Sequence, residues 1–356
     1  MTLTPDAPPG ASPSDGRKPL NLALQGGGAH GAYAWGVCDR LIESGRIRIN
    51  AITATSAGAM NASVLACGLA TGGEDGARAA LERFWREVSR IKGLFGVPSG
   101  PWKDLIPFYE AAEEFLANAT MELASAAVSP YQFNPLNLNP LREVLLASVD
   151  FDALKDCPIG LFVSATNVRS GKVRVFRDEA VTADAVLASA CLPQLFQAVE
   201  IDGEHYWDGG YMGNPSLWPL FYETAVEDLL VVHINPIERA ELPTTAPQID
   251  NRINEITFNA ALLKEMRAVA FVQKLLREGW VREDRASDLS DIRFHSIRAD
   301  RSLADLSLAS KYNTDWDFLC GLRDRGRQTA QAWLDAHWDD VGTRGTVDLH
   351  AEFLDL

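Results

Sequence analysis

Two short stretches near the start of the chain carry residue types that could do chemistry. The first is GGGAHG, residues 26–31, which we call the glycine loop, and the second is TATSAGAM, residues 53–60. A backbone without side chains lets its amides approach a negatively charged oxygen closely, so the glycine loop could hold a phosphate or an oxyanion. Ser56 in the second stretch could be a nucleophile. The neighbours of each stretch must decide between these chemistries.

The neighbours of the glycine loop do not match the known phosphate-binding loops. A Walker-type loop has Lys and then Ser or Thr after its last glycine, whereas Ala and Tyr follow here. A dinucleotide loop has the pattern GxGxxG, which Gly26, Gly28 and Gly31 do match. It also needs an acidic residue about 20 positions later, and residues 51–72 contain no Asp or Glu. A nucleotide-binding module therefore remains an alternative from another functional class.

The neighbours of Ser56 predict a nucleophile elbow. Small residues, Ala54 and Gly58, stand two positions before and two positions after the serine, where the backbones of strand and helix nearly touch. A serine at this turn lies at a helix N-terminus, where backbone amides and the helix dipole favour negative charge. The glycine loop could then present its own amides to the same oxygen. We therefore expect the loop to be an oxyanion hole, while a helix N-cap is the plain alternative for Ser56.

The pattern of apolar residues predicts the elements that position these stretches. Strands are predicted before the glycine loop and before Ser56, each followed by a helix, and this alternation implies a parallel sheet. The first helix should end at Gly45 and the second at Gly72 and Gly73. An Asp-Gly pair at 202–203 predicts a hairpin. The predicted strands are 20–25, 49–55, 159–167, 172–176, 199–201, 205–207 and 229–234, and the later helices are 183–190, 251–282 and 315–338.

The sequence resembles the patatin-like phospholipases over about residues 20–236. The resemblance is carried by the glycine loop, by ATSAG at 54–58, by YWDGGYMGNP at 206–215 and by ASACLPQLFQAVEIDG at 188–203. It implies an α/β fold of three layers, α/β/α, with a mainly parallel central sheet related to the α/β hydrolases. A helical C-terminal extension would follow this domain.

The resemblance also implies a catalytic dyad without histidine. Ser56 would be the nucleophile and Asp208 its base, with Gly26, Gly27 and Gly28 as oxyanion donors. Burial would have to raise the pKa of Asp208 for it to act as a base near neutral pH. The supporting positions would be Gly31, Ala54, Ala57, Gly58, Gly209, Gly210 and His30.

Two of these supporting positions depart from the family pattern. Ala54 stands where the family usually has glycine, and His30 stands where it often has Lys or Arg. The first change adds a methyl group at the elbow. The second makes positive charge beside the glycine loop absent or dependent on pH.

The expected activity is a serine acyl hydrolase that cleaves esters of phospholipids or lysophospholipids through an acyl-enzyme, without a metal or organic cofactor. A lipase, a thioesterase or an intracellular polyester depolymerase could use the same dyad, and a non-catalytic lipid-binding relative is a further alternative. A Ser-His triad is a minor alternative, because the histidines other than His30 show no ligand spacing and suit structural roles: His205, His233, His295, His337 and His350.

The amino-acid composition of the chain limits its possible binding partners and its cellular compartment. The chain has 356 residues, with 33 Lys and Arg against 48 Asp and Glu, and its net charge of -15 argues against nucleic-acid binding. The basic run RFWREVSRIK, residues 83–92, is either a solvated helix face or a point of transient contact with a membrane surface. Five scattered cysteines predict free thiols, and we see neither a signal peptide nor a transmembrane segment, so we expect a cytoplasmic protein. The sequence does not indicate an oligomeric state.

We predict three segments along the chain. Residues 1–19, rich in proline, should be a disordered tail, and 20–236 the catalytic domain. Within that domain, 93–140 is either a lid or pocket wall, or an ordinary packing insertion. Residues 237–356 should be a mainly helical extension.

Overall fold

One mixed sheet of eight strands organises the described part of the chain, which in this computed structural model comprises residues 16–91, 129–282 and 291–354. The strand order is β5-β6-β3-β2-β1-β7-β8, and β4 pairs with β3. The bounds are β1 Lys18–Leu24, β2 Ile47–Ala54, β3 Gly160–Asn167, β4 Val173–Arg177, β5 Val199–Ile201, β6 Glu204–Asp208, β7 Asp228–His233 and β8 Arg293–Arg298.

Helices cover both faces of this sheet. One apolar cluster lies between the sheet and α1, α2 and α8, and a second lies between the sheet and α6 and α7. The predicted three-layer α/β/α fold is therefore confirmed. The bounds are α1 Gly31–Glu43, α2 Ala57–Arg90, α3 Pro130–Phe133, α4 Pro140–Ser148, α5 Ala183–Ser189, α6 Trp218–Tyr222, α7 Ala246–Arg277, α8 Trp316–His337 and α9 Leu349–Phe353. None of these helices is both long and apolar enough to cross a bilayer.

The centre of the sheet is parallel and is buried on both faces. β1 pairs in parallel with β2 and with β7, while the antiparallel pairs involve β4, β5 and β6. Leu22 and Leu24 of β1 belong to one apolar cluster and Ala23 to the other, as the two-residue period of a strand requires. Leu24 pairs with Ala54, so the segments that follow β1 and β2 leave the sheet at the same edge. This topology brings the glycine loop to Ser56.

The hairpin predicted at residues 202–203 is confirmed. β5 and β6 pair antiparallel, with Ile201 opposite Glu204. Asp202 and Gly203 between them have φ angles of 54° and 76°. Two successive positive φ angles match the twist of the flanking strands, which explains why an Asp-Gly pair predicts this turn.

Several predicted boundaries were wrong, and the start of β1 and the end of α2 show why. β1 begins at Lys18 rather than residue 20, because Lys18 and Pro19 pair with the start of β2. α2 does not end at Gly72 and Gly73. Gly73 has a φ of 63°, which kinks the chain, and helical geometry then resumes as far as Arg90.

The segment after residue 236 is continuous with the sheet. It contributes β8, which pairs in parallel with β7, and α8, which packs against α1. At the α1–α8 contact, a Cβ on Gly36 would collide with the backbone oxygen of Arg323 and one on Gly326 with that of Tyr33. The division into a catalytic domain and an extension stays a prediction. Residues 1–15 of the predicted tail, and residues 93–128 of the predicted insertion, lie outside the described residues.

Candidate active site

Ser56 occupies a strained turn between β2 and α2. Its φ and ψ are 56° and -124°, a conformation that residues with side chains rarely adopt. Gly58 explains how closely the new helix approaches β1, because a Cβ at this position would collide with the backbone oxygen of Leu24. The Ser56 side chain makes no capping hydrogen bond to α2. The structure therefore has the elbow that the sequence predicts. The serine hydroxyl does not act as a helix N-cap.

The extra methyl group of Ala54 is accommodated within the sheet. Ala54 is completely buried and pairs regularly with Leu24 on one side and Val163 on the other. The Ser56 amide donates to Ser189 Oγ at 2.9 Å, which helps to hold the turn. Alanine at this position is therefore compatible with the strained conformation of Ser56.

Asp208 lies at the end of β6, where its backbone and one carboxylate oxygen are fixed. Its amide donates to the Cys191 oxygen at 2.8 Å, and the Thr166 hydroxyl donates to the Asp208 backbone oxygen at 2.9 Å. Oδ1 accepts from the Gly210 amide at 2.7 Å. Oδ2 has no hydrogen-bond partner among the described residues. Asp208 therefore has a fixed backbone and one carboxylate oxygen, Oδ2, that accepts no hydrogen bond from the described residues.

Burial raises the pKa of Asp208 to about 6, and the Ser56 side chain, the Gly210 amide and Lys311 oppose this rise. Asp208 is 0% exposed. Since a general base is most effective when its pKa lies near the working pH, this environment suits proton acceptance. The Ser56 hydroxyl is close enough to influence the carboxyl, yet no formed hydrogen bond to Oδ2 is present. Such contacts are often loose before substrate binds.

The glycine loop lies directly against Ser56, but its first amide is already used. A Cβ on Gly26 would come within 2.5 Å of the Ser56 Cβ. The Gly26 amide donates to Asn214 Oδ1 at 2.7 Å. The amides of Gly27 and Gly28 have no acceptor among the described residues. The prediction that Gly26 is an oxyanion donor is therefore corrected: this glycine allows close approach, and Gly27 and Gly28 are the available donors.

Buried amide side chains hold the glycine loop in place. Gln25 Oε1 accepts from the amides of Ile234 and Asn235, and Gln25 Nε2 donates to Asn259 Oδ1 at 2.9 Å. Asn235 Nδ2 donates to the Gly26 oxygen at 2.8 Å. These bonds tie the loop to the end of β7 and to α7. Sequence reasoning missed this network, although an Asn two residues after the buried strand β7 was a usable signal.

The other predicted supporting residues serve close packing around the site. A Cβ on Gly31 would approach the Ala57 Cβ to 2.7 Å, and one on Gly210 would lie 2.5 Å from the Phe258 ring. A Cβ on Gly209 would collide with the backbone oxygen of Ser164. Small residues at these positions let loop, strand and helix meet.

His30 does not provide positive charge beside the glycine loop. Its side chain is buried, and its Nε2 lies 2.7 Å from Ser310 Oγ. Burial, followed by the nearby charges of Lys311 and Arg239, lowers the pKa of His30 to about 3, so the ring is neutral at physiological pH. The positive charge beside the glycine loop comes instead from Lys311, which is distant from the loop in the sequence. No local motif could have indicated it.

Ser56 and Asp208 line one pocket, together with Gly27, Gly28 and Lys311. No histidine is among the residues that line this pocket within the described part of the chain, so the geometry gives no support to a Ser-His triad. The wall is mainly apolar, which suits an acyl chain. It includes Met60, Phe84, Trp85, Val88, Leu192 and Phe196.

Substitution of Gly28 tests the geometry of this pocket. Gly28 has a φ of 59°, and a Cβ there would collide with the Lys311 backbone oxygen. We expect Gly28→Ala to lower the free energy of unfolding by about 1–3 kcal/mol and to reduce ester hydrolysis. Chemical denaturation and initial rates measure the two effects. The control is Gly72→Ala, whose Cβ meets nothing within 4 Å, and it should preserve both properties. A Gly28→Ala protein that matches this control would contradict the described loop.

Comparisons with known proteins identify the family. Residues 22–221 match the family model described as patatin-like phospholipase. The crystal structure of VipD from Legionella pneumophila aligns with a TM-score of 0.43 and 16% identity, over 89% of this chain and 67% of that one. The type III effector protein ExoU aligns with a TM-score of 0.35 and 15% identity, over 90% of this chain and 54% of that one. No curated protein matches the sequence.

The family match covers more than half of the 356 residues and includes Ser56 and Asp208. The chain belongs to the patatin-like phospholipase family, hydrolases that act on the ester bonds of lipids.

Proposed function

We propose that the protein is a serine acyl hydrolase that cleaves carboxyl esters of phospholipids or lysophospholipids through an acyl-enzyme. Ser56 is the nucleophile and Asp208 is its general base. One observation carries the proposal: a serine in a strained elbow and a buried carboxylate with an unpartnered oxygen line the same apolar pocket. Family membership supplies the substrate class, a lipid ester.

In the first half of the reaction, Asp208 Oδ2 accepts the proton of the Ser56 hydroxyl while Oγ attacks the ester carbonyl carbon. The carbonyl oxygen becomes negatively charged and faces the amides of Gly27 and Gly28. The N-terminus of α2 adds a favourable field. The protonated carboxyl then gives its proton to the oxygen of the leaving alcohol as the ester C–O bond breaks. The acyl group remains bound to Ser56.

In the second half, water takes the place of the alcohol. Asp208 accepts a proton from this water, whose oxygen attacks the acyl carbon, and the carboxyl then returns the proton to Ser56 Oγ. The apolar wall holds the acyl chain through both halves, and the fatty acid leaves at the end. The pKa of Asp208 near 6 allows the carboxyl both to accept and to donate at neutral pH.

Hydrolysis assays test the proposal directly. We expect the wild-type protein to hydrolyse p-nitrophenyl butyrate and to release fatty acid from phosphatidylcholine or lysophosphatidylcholine. A triacylglycerol, an acyl-CoA and a polyester in the same panel show whether a lipase, thioesterase or depolymerase activity is larger. A folded wild-type protein that cleaves none of these substrates would contradict the proposal. Stabilisation by a nucleotide in that case would favour the nucleotide-binding alternative.

A further inference from the structure

Lys311 brings a positive charge into the pocket from outside the residues that match the family model. Lys311 lines the pocket with Ser56 and Asp208. Its ammonium group contacts Asn254 and Phe258 of the same lining. Its backbone oxygen packs against Gly28. Among the residues that line the pocket in the described part of the chain, Lys311 is the only basic one and Asp208 the only acidic one. The charge balance of the pocket thus depends on these two side chains.

The ammonium group of Lys311 is held by neutral partners. Nζ donates to Asn235 Oδ1 and to Asn254 Oδ1, each at 2.8 Å. An ammonium group has three N–H donors, and the third meets no oxygen or nitrogen acceptor among the described residues. Nζ also lies 5.8 Å from the centroid of the Phe258 ring, a cation–π contact with another neutral group. Within the described part of the chain Lys311 forms no ion pair with a carboxylate. The nearby Glu255 is instead bound by Arg239 and Arg252.

The charge of Lys311 is costly because the group is buried. Transfer of the Ser56 proton to Asp208 does not change the net charge of the pocket, since the negative charge moves from the carboxylate to the oxyanion of the substrate. Burial lowers the pKa of Lys311 to about 8, which shows that the surroundings do not fully compensate its charge. An anion bound at the third donor would relieve this cost. Phosphate is the anion that the substrate class supplies, and lysine binds it as a point charge.

We propose that Lys311 is the residue that binds the phosphate of an acyl-ester substrate and so makes the pocket prefer phosphate-bearing lipids over neutral ones. This inference rests on the proposed function and deepens it. It also assigns a role in substrate selection to a residue after position 236. The chemistry recognised is a phosphate oxyanion, carried on the lipid rather than free in solution.

A matched pair of substrates tests the inference. 1-Oleoyl-lysophosphatidic acid and 1-monooleoylglycerol carry the same acyl ester and differ in the phosphate. We expect Lys311→Met to lower the ratio of their kcat/KM values by about tenfold or more, mainly through KM for the phosphate-bearing lipid, because a charge-assisted hydrogen bond contributes about 1.5–3 kcal/mol. The control Lys264→Met removes an exposed lysine and should leave the ratio unchanged. An unchanged ratio in Lys311→Met would overturn the inference.

A second variant separates charge from hydrogen bonding. Lys311→Gln keeps a polar N–H group but carries no charge, so it should lose the phosphate preference as Lys311→Met does. A Gln variant with the wild-type ratio would overturn the inference. Equal losses of kcat for both substrates in both variants would also overturn it, because Lys311 would then serve the reacting ester itself.

Binding to the Ser56→Ala protein keeps the inference testable without turnover. Thermal stabilisation should be larger with lysophosphatidic acid than with monooleoylglycerol, and Lys311→Gln in the same background should remove the difference. Equal stabilisation by the two lipids, or stabilisation by inorganic phosphate alone, would overturn the inference. If the wild-type protein cleaves no ester, the proposed function is wrong. If it cleaves esters but shows no phosphate preference that depends on Lys311, only this inference is wrong.

Discussion

Ser56→Ala is expected to abolish ester hydrolysis while the protein remains folded. The substitution removes the hydroxyl oxygen that forms the acyl-enzyme in the proposed mechanism, so kcat should fall by about 10⁴-fold or more. The Cβ remains, and a φ of 56° is as unfavourable for alanine as for serine. The free energy of unfolding should therefore change little. Initial rates with p-nitrophenyl butyrate and chemical denaturation measure the two properties.

A buried serine on α2 provides the matched control for this prediction. Ser63 is 0% exposed, and its hydroxyl has no hydrogen-bond partner among the described residues. It is not among the residues that line the pocket. Ser63→Ala should therefore keep the wild-type rate. A Ser56→Ala protein that turns over substrate like Ser63→Ala would show that Ser56 is not the nucleophile.

Asp208→Asn is expected to remove activity and to raise stability at neutral pH. The amide cannot accept the serine proton, so kcat should fall by about 10³–10⁴-fold. The pKa of Asp208 is raised from 3.8 to about 6 in the folded protein. A raised pKa means that the folded state loses stability as pH increases from about 4 to 6, where the unfolded carboxyl ionises more readily. Above pH 6 the pKa difference of about two units lowers the free energy of unfolding by about 3 kcal/mol, and asparagine avoids this loss.

The stability change can be checked by denaturation between pH 4 and pH 8. The gain from Asp208→Asn should be larger at pH 8. Asp228 provides a buried control of opposite sign: burial alone would raise its pKa, but hydrogen bonds from His295, Arg293 and Gly342 outweigh burial and lower its pKa to about 2. A lowered pKa stabilises the folded state above about pH 4, so Asp228→Asn should lose stability at pH 8. An Asp208→Asn protein that is destabilised like Asp228→Asn would contradict the raised pKa.

The same pKa predicts the acid limb of the rate profile. In the proposed mechanism only the ionised form of Asp208 accepts the serine proton, so wild-type kcat/KM should increase as pH rises through about 6. A profile that is flat between pH 4 and 8 would mean that the free enzyme's base does not titrate there.

Local motifs predicted the parts of the site that lie close together in the sequence. The strand-to-helix turn at Ser56, the Asp-Gly-Gly turn at Asp208 and the glycine loop each depend on contacts within a few residues, so residue types and spacing reveal them. The Gly26 amide shows the limit of this reasoning. Its acceptor, Asn214, lies 188 positions away, and only the fold brings the two together.

The distant support of the site could not be predicted for the same reason. Asn235 and Lys311 meet the glycine loop, and Asn259 meets Gln25 beside it, only after β7, α7 and the segment before α8 have packed around the sheet. β8 was also missed. Its sequence, RFHSIR, does not read as an apolar strand, because Arg293 and His295 within it pair with the buried Asp228 on β7. Polar residues satisfied across strands hide the strand from hydrophobic patterning.

Covalent labelling with a fluorophosphonate shows whether Ser56 is an activated nucleophile, because this reagent forms a stable adduct with an activated serine. We expect one adduct per chain, which peptide mapping by mass spectrometry should locate on Ser56. The adduct should be absent from Ser56→Ala, and it should form much more slowly on Asp208→Asn than on the wild-type protein. An adduct on another serine, or a protein that hydrolyses esters but shows the same labelling rate with and without Asp208, would contradict the dyad.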